Sequence, residues 1–203
     1  MKHVIAPLLI CPFLLSYHAP VDIAIAEAKT PHYITKKQTN VISTSPSIMI
    51  TGDKTFTTRT KDALTLLKTK APADYALVIA SIGKIQQHTF SGMAAYETPP
   101  TYKVGAATSS ASLTWYASTI VHDAYHSRLY HDYLTTHKRA VPNDVWTGMT
   151  AEMKCLEIQI ETLKRIGAPD AEVAYAQSLR GANWWDLNGD GTYDTEDEKL
   201  RDW

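Results

Sequence analysis

Two histidines stand four residues apart in the segment STIVHDAYHSRLYHDY, residues 118–133: His122 and His126, with Asp123 directly after the first. On a helix, residues i and i+4 lie one above the other on the same face. Two imidazoles at that spacing can present a nitrogen each to one metal ion. The next residue lies about 100° further round the helix. From there its carboxylate can reach a water on the metal without binding the metal itself. The spacing therefore assigns His122 and His126 as zinc ligands and Asp123 as a candidate catalytic base. The layout is that of H-E-x-x-H with one methylene removed from the acid.

A metal held for catalysis needs a third protein ligand, and a second helical segment supplies candidates. In TAEMKCLEIQIETLKRIG, residues 150–167, Glu152 shares a face with Cys155, Leu156, Gln159, Ile160 and Leu163, the apolar stripe. Glu157 and Glu161 fall with Lys164 and Arg165 on a charged face. A carboxylate on a buried stripe must be paired or metal-bound, so Glu152 is the favoured third ligand. The rival is Asp132, six residues after His126. No glycine turn precedes it, because Leu129 holds that position, so the helix runs on and Asp132 points about 120° away from His126. His131 faces away from His122, and His137 lies some 16 Å along the axis from His126.

The elements that position these residues follow from periodicity and breakers. A short strand is expected at Ser47–Ile50, after a polar lead-in. TFTTRTKDALTLLKTKAP reads as a helix closed by Pro72, with Thr60 as a candidate cap. DYALVIASIGKIQQHTF is β-branched and apolar and reads as a strand bent near Gly83, or a hairpin. SGMAAYETPP reads as loop and TYKVGAAT as a short extended segment. Three helices follow, over residues 110–137, 150–167 and 170–183; glycines stop the last two. A helix, two β segments and three helices predict an α+β fold.

The segment TIVHDAYHSRLY, followed after about twenty residues by AEMKCLEIQIETLKRIGAP, resembles zincin-like metallopeptidases of the glutamate-ligand type. The resemblance covers roughly residues 57–168. It implies an edge strand before the histidine helix, and TYKVGAAT stands where that strand would be. Such a strand holds an extended peptide by backbone pairing. It also implies zinc-activated hydrolysis of a peptide or protein substrate. Asp123 departs from the family's glutamate, so the resemblance bears more directly on the metal site than on the activity.

A second metal pattern closes the chain. DLNGDGTYDTED, residues 186–197, resembles the twelve-residue calcium loop of EF-hands and dockerins. Asp186, Asn188 and Asp190 fill positions one, three and five, Gly191 turns the chain at six, Thr192 offers its carbonyl, and Asp194 and Asp197 fill nine and twelve. Calcium there would be structural.

Composition narrows the classes further. The chain has 203 residues, a formal charge of −1, 44% apolar and 20% charged residues. These are globular values with no basic excess to suggest nucleic acid. Residues 1–28 combine Lys2, an apolar run and small-x-small patterns ending at Ala26 and Ala28, the organisation of a secretory signal peptide. Pro7 and Pro12 argue against a stable membrane span. Cleavage there would remove Cys11 and leave Cys155 without a disulfide partner. The sequence thus predicts an exported protein: signal peptide 1–28, lead-in 29–56, zincin-like domain 57–183 and calcium loop 184–203. The leading function is zinc-dependent peptide hydrolysis. The alternatives are a catalytically inactive metal-dependent binding protein and a calcium-stabilised structural module.

Overall fold

Asp53 marks where the polar lead-in gives way to regular structure. Its carboxylate accepts the Phe56 N–H at 2.8 Å and caps the first helix, leaving one fewer orphan donor there. Thr60, the expected cap, lies inside that helix, buried, with its hydroxyl 2.8 Å from that of Tyr116. The computed structural model describes residues 47–191 and 195–200; the signal-like segment 1–28, and the lead-in up to residue 46, lie outside them.

The element order is β1 (Met49–Thr51), α1 (Lys54–Lys70), α2 (Pro72–Ser81), β2 (Lys84–Gln87), β3 (Gly92–Ala94), β4 (Thr101–Val104), α3 (Ala106–Ser110), α4 (Leu113–His137), α5 (Asn143–Trp146), α6 (Gly148–Ile166), α7 (Asp170–Ser178) and α8 (Thr195–Leu200). The fold is α+β. Its sheet runs in the order β1-β2-β4-β3, with β1, β2 and β4 parallel and β3 antiparallel to β4. β1 and the start of α1 precede residue 57, so the folded unit begins earlier than the expected boundary.

Three expectations need correction. The run DYALVIAS is helix, not strand. Pro72 sits at the start of α2, where its fixed φ and missing N–H cost nothing. Val78 is buried and Tyr75, Leu77 and Ile79 are half-buried, while Ala73, Ala76 and Ala80 face outward, so small exposed alanines complete the apolar run. Pro72 therefore both follows one helix and opens another. Only KIQQ, after Gly83, is strand. A Cβ on Gly83 would lie 2.4 Å from Cβ of Pro99, so this close crossing requires glycine. Second, SGMAAYETPP is not all loop, because it contains β3. Third, the segment TYKV is not the edge strand. It is β4, flanked by β2 and β3, and the edge belongs to β3. AATSS, which follows it, is the short helix α3.

The core lies where α1, α2 and α4 meet the sheet. Leu67, Val78, Ile85, Tyr102, Val104, Tyr116, Ile120 and Val121 are all buried there. Full burial of each aliphatic side chain stabilises the fold by roughly 1.5–3 kcal/mol. A second cluster of Leu156, Ile160, Leu163 and Ala176 joins α6 to α7. α4 is capped by Ser112, whose hydroxyl accepts the Trp115 N–H at 3.0 Å. It runs unbroken for 25 residues to Lys138, which takes a left-handed conformation. α6 ends in the left-handed Gly167, as its sequence predicts. α7 ends at Ser178, short of residue 183. Among the described residues, no helix is long and apolar enough to cross a membrane.

Candidate metal centre

α4 and α6 pack against each other along their buried faces, and that contact brings His122, His126 and Glu152 together. The Nε2 atoms of the two histidines lie 3.0 Å apart. The Glu152 carboxylate reaches both, Oε2 to His122 at 3.3 Å and Oε1 to His126 at 3.5 Å. A tetrahedral site with bonds of about 2.0–2.1 Å has ligand–ligand edges of about 3.3 Å. The three separations thus suit one shared cation.

The tautomer of His126 sharpens the point. Its Nδ1 stands 2.6 Å from the carbonyl oxygen of Trp146, at the end of α5. A carbonyl only accepts, so Nδ1 carries the hydrogen. Neutral His126 then turns the lone pair of Nε2 toward the Glu152 carboxylate. Such atoms need a hydrogen or a metal between them: the Nε2–H of neutral His122, a proton on His126, or a metal ion. In its protonated form the group is a buried ion pair. Burial disfavours the charge on His126, but nearby Cys155 and the Glu152 carboxylate outweigh it and hold its pKa well above the ordinary value. Burial likewise pushes Glu152 upward, yet the two histidines prevail and keep its carboxyl far below the usual range. The Trp146 carbonyl is the kind of outer partner that orients metal-binding histidines. His122 has no such support, and its buried Nδ1 has no hydrogen-bond partner.

A cleft of about 400 Å³ opens over these residues. Asp123 lines it, beside Tyr102 from β4 and Thr119 one turn earlier on α4. The Tyr102 hydroxyl lies 3.2 Å from Thr119 Oγ1. Burial raises the pKa of Tyr102 well above normal, and the negative charge of Asp123 beside it adds to the effect. Tyr102 is therefore a neutral hydroxyl at any ordinary pH. Ser91, Gly92 and Met93 bring the edge strand β3 to one wall of the cleft, and Trp115, Leu156, Tyr175 and Leu179 form an apolar wall.

The remaining sequence candidates fall elsewhere. Asp132 is exposed and pairs with Arg128 at 3.3 Å, so it is not a ligand to the histidine pair. His131 lines a different cavity, beside Leu77 and Ile82. His137 is exposed and stacks on Tyr133. Glu157 bonds Arg180 and Glu161 bonds Lys164, all at the surface. Sequence reasoning missed two residues. Cys155 lies with the two histidines in one group, its sulfur and one ring nitrogen of each within 4.8 Å of one another. Its signal was its position three residues after Glu152 on the buried stripe, where it reads as a small apolar residue. Tyr102 carried no spacing signal at all.

The acidic loop is described in part, since Thr192 and Asp194 lie outside the described residues. Asp186 is buried and takes the N–H groups of Gly189, Asp190 and Gly191 at 2.7, 3.0 and 2.8 Å. Asp197, fully buried, accepts from Leu187 and Asn188 at 2.7 and 3.2 Å. The Asn188 side chain donates to Asp190 at 3.3 Å. Gly189 and Gly191 both take positive φ, as the turn demands. No family model, curated protein or solved structure matches the chain.

Proposed function

We propose that this protein is a zinc-dependent hydrolase, a metallopeptidase in which His122, His126 and Glu152 hold the metal. The observation that carries the reading is the convergence of three electron-rich groups, at 3.0, 3.3 and 3.5 Å, on one point at the floor of an open cleft. Bound zinc supplies a water of near-neutral pKa and polarises a carbonyl. Asp123 stands in the same cleft as the group that accepts the proton and returns it to the leaving amine. Tyr102, neutral and beside it, is a hydrogen-bond donor for a developing oxyanion. β3 offers an unpaired edge to an extended peptide, and main-chain pairing of that kind gives affinity with little demand on sequence. An antiparallel edge strand ahead of the histidine helix, and a glutamate on the helix after it, both support the zincin-like reading.

A second reading has its own observation. Asp123 has a shorter arm than glutamate, and its negative charge lies close enough to Tyr102 to raise that group's pKa. A shorter carboxylate reaches less far toward a metal-bound water, which favours a metal-dependent binding protein without turnover. In either reading the acidic loop is a structural calcium site built from Asp186, Asn188, Asp190, Thr192, Asp194 and Asp197. Export, with residues 1–28 as the signal, supplies the calcium that such a loop needs.

Elemental analysis of protein purified without chelator tests the metal centre. About one zinc per chain, lost in His122→Ala and in Glu152→Ala, supports it; calcium without zinc sinks the hydrolase. Cleavage of a mixed peptide library, abolished by chelator and by Asp123→Asn, then separates enzyme from binding protein. A zinc-loaded protein that cleaves nothing, even as Asp123→Glu, is the binding protein.

A further inference from the structure

We infer that Cys155 is a fourth ligand of this centre, so that the donor set is two imidazoles, a carboxylate and a thiolate. The inference rests on the metal-centre reading above. Cys155 is fully buried on α6, three residues after Glu152, and side chains three apart share a helix face. Its sulfur and one ring nitrogen from each of His122 and His126 lie within 4.8 Å of one another. A tetrahedral centre with zinc–nitrogen bonds of about 2.0 Å and zinc–sulfur of about 2.3 Å needs nitrogen–sulfur edges of about 3.5 Å. Binding would require the Cys155 and histidine side chains to draw together to that edge length.

A buried cysteine among aliphatic neighbours is an inert small hydrophobe. The setting here is different, because the sulfur lies near a ring nitrogen of each of two histidines and one turn from the Glu152 carboxylate on the same helix. Cys155 is not among the cleft-lining residues, whereas His122, His126 and Glu152 are. The sulfur is fully buried and would bind from within the α4–α6 packing rather than from the cleft surface.

The chemistry of the set follows. On binding, the thiol loses its proton to solvent and the sulfur–metal bond forms, with no change of oxidation state. A thiolate beside two imidazoles selects zinc over magnesium, calcium or manganese. Four protein ligands are also the number typical of closed, structural zinc sites. A ligand entering from the cleft makes the centre five-coordinate.

Cobalt(II) tests this on the purified full chain. Wild type is expected to bind about one cobalt and to show the thiolate-to-cobalt charge-transfer band in the near ultraviolet. Glu152→Gln should keep the band while binding more weakly. Cys155→Ser should lose the band and bind at least ten-fold more weakly. Cobalt bound by wild type without the band overturns the inference and leaves the two-histidine, one-glutamate site standing. A band that survives Cys155→Ser also overturns it, because Cys11 is the only other thiol in the chain. Absence of any metal binding overturns both the inference and the centre beneath it. If Cys155→Ser does not fold, X-ray absorption of the wild-type zinc form decides: a sulfur shell at about 2.3 Å is required.

Discussion

Glu152→Gln is the substitution that most directly separates a metal centre from a buried hydrogen-bonded cluster. The amide keeps the shape and an acceptor oxygen, so the packing of α6 on α4 is retained, but the negative charge between His122 and His126 is gone. Zinc that binds only the folded state stabilises it by about 2.7 kcal/mol at a free concentration one hundred times the dissociation constant. A neutral amide is a poor zinc ligand. If its loss weakens binding about 100-fold, the same zinc concentration equals the variant's dissociation constant and contributes only about 0.4 kcal/mol. For a folded unit of this size each kcal/mol moves the midpoint by about 2–4 °C. Zinc should then raise the wild-type Tm by about 5–11 °C and that of Glu152→Gln by about 1–2 °C. The assay is thermal unfolding followed by circular dichroism, with chelator and then with buffered zinc. Any effect of the substitution on the metal-free fold appears in the chelated arm and is subtracted. An equal zinc-induced rise in both proteins would refute the assignment of Glu152 as a ligand. No rise in either would refute the centre.

Three further predictions rest on separate parts of the structure. In chelated protein, Glu152 contributes stability above its unfolded pKa of about 4.3 and loses it as pH falls through its depressed folded value; His126 contributes below about 6.5 and loses it as pH rises through its raised folded value. The stability difference between wild type and Glu152→Gln should therefore be greatest between about pH 4.3 and 6.5 and should shrink in alkali, read by urea unfolding across pH; a difference that grows toward pH 9 contradicts the pairing. Asp74 is buried on α2 and accepts from Arg165 at 3.0 Å through both oxygens and from Thr162 at 3.0 Å, so Asp74→Ala should cost about 1.5–3 kcal/mol in urea unfolding while zinc content stays unchanged. Gly83→Ala should destabilise by about 1–3 kcal/mol, because the new Cβ meets Pro99 at 2.4 Å in a packed turn; an unchanged midpoint would mean that the turn yields freely.

What was legible in the sequence, and what was not, follows the range of the physics involved. Helical periodicity is local, so the long helices, the shared face of His122 and His126, and the buried stripe holding Glu152 could all be read from spacing alone. Strand identity depends on partners far along the chain. Gly92–Ala94 is a strand only because β4 lies beside it, and no three-residue pattern announces that. DYALVIAS misleads because its exposed positions, Ala76 and Ala80, are apolar too and hide the helical period; the deciding signal was Pro72, which opens a helix as readily as it ends one. The site has the same division. Its candidate ligands sit on periodic elements, but the carbonyl beside His126 Nδ1 is backbone, contributed by Trp146 at the end of the short helix α5, and backbone atoms carry no residue code. Cys155 was visible on the stripe but was chemically ambiguous, since the same residue serves as a core filler or as a ligand.

The two functional readings turn on one methylene. Shortening glutamate to aspartate withdraws the carboxylate by about 1.5 Å, one carbon–carbon bond. Asp123 sits mid-way along a continuous helix, Leu113–His137, whose packing rather than this side chain sets where its backbone lies. Two devices in this fold can compensate. One is a bridging water, since a base acts across a single water as well as by direct contact. The other is Tyr102, whose buried hydroxyl keeps its proton and stands between β4 and Asp123. Its one hydrogen is donated to Thr119 Oγ1 at 3.2 Å, so giving it to an oxyanion requires the hydroxyl to turn from Thr119 toward the cleft. Left on Thr119, the same hydroxyl serves a protein that has no use for a base. Tyr102 is therefore the residue whose role differs most between the two readings. In an enzyme its hydroxyl acts on the reacting atoms, and in a binding protein it serves only the fit of the cleft.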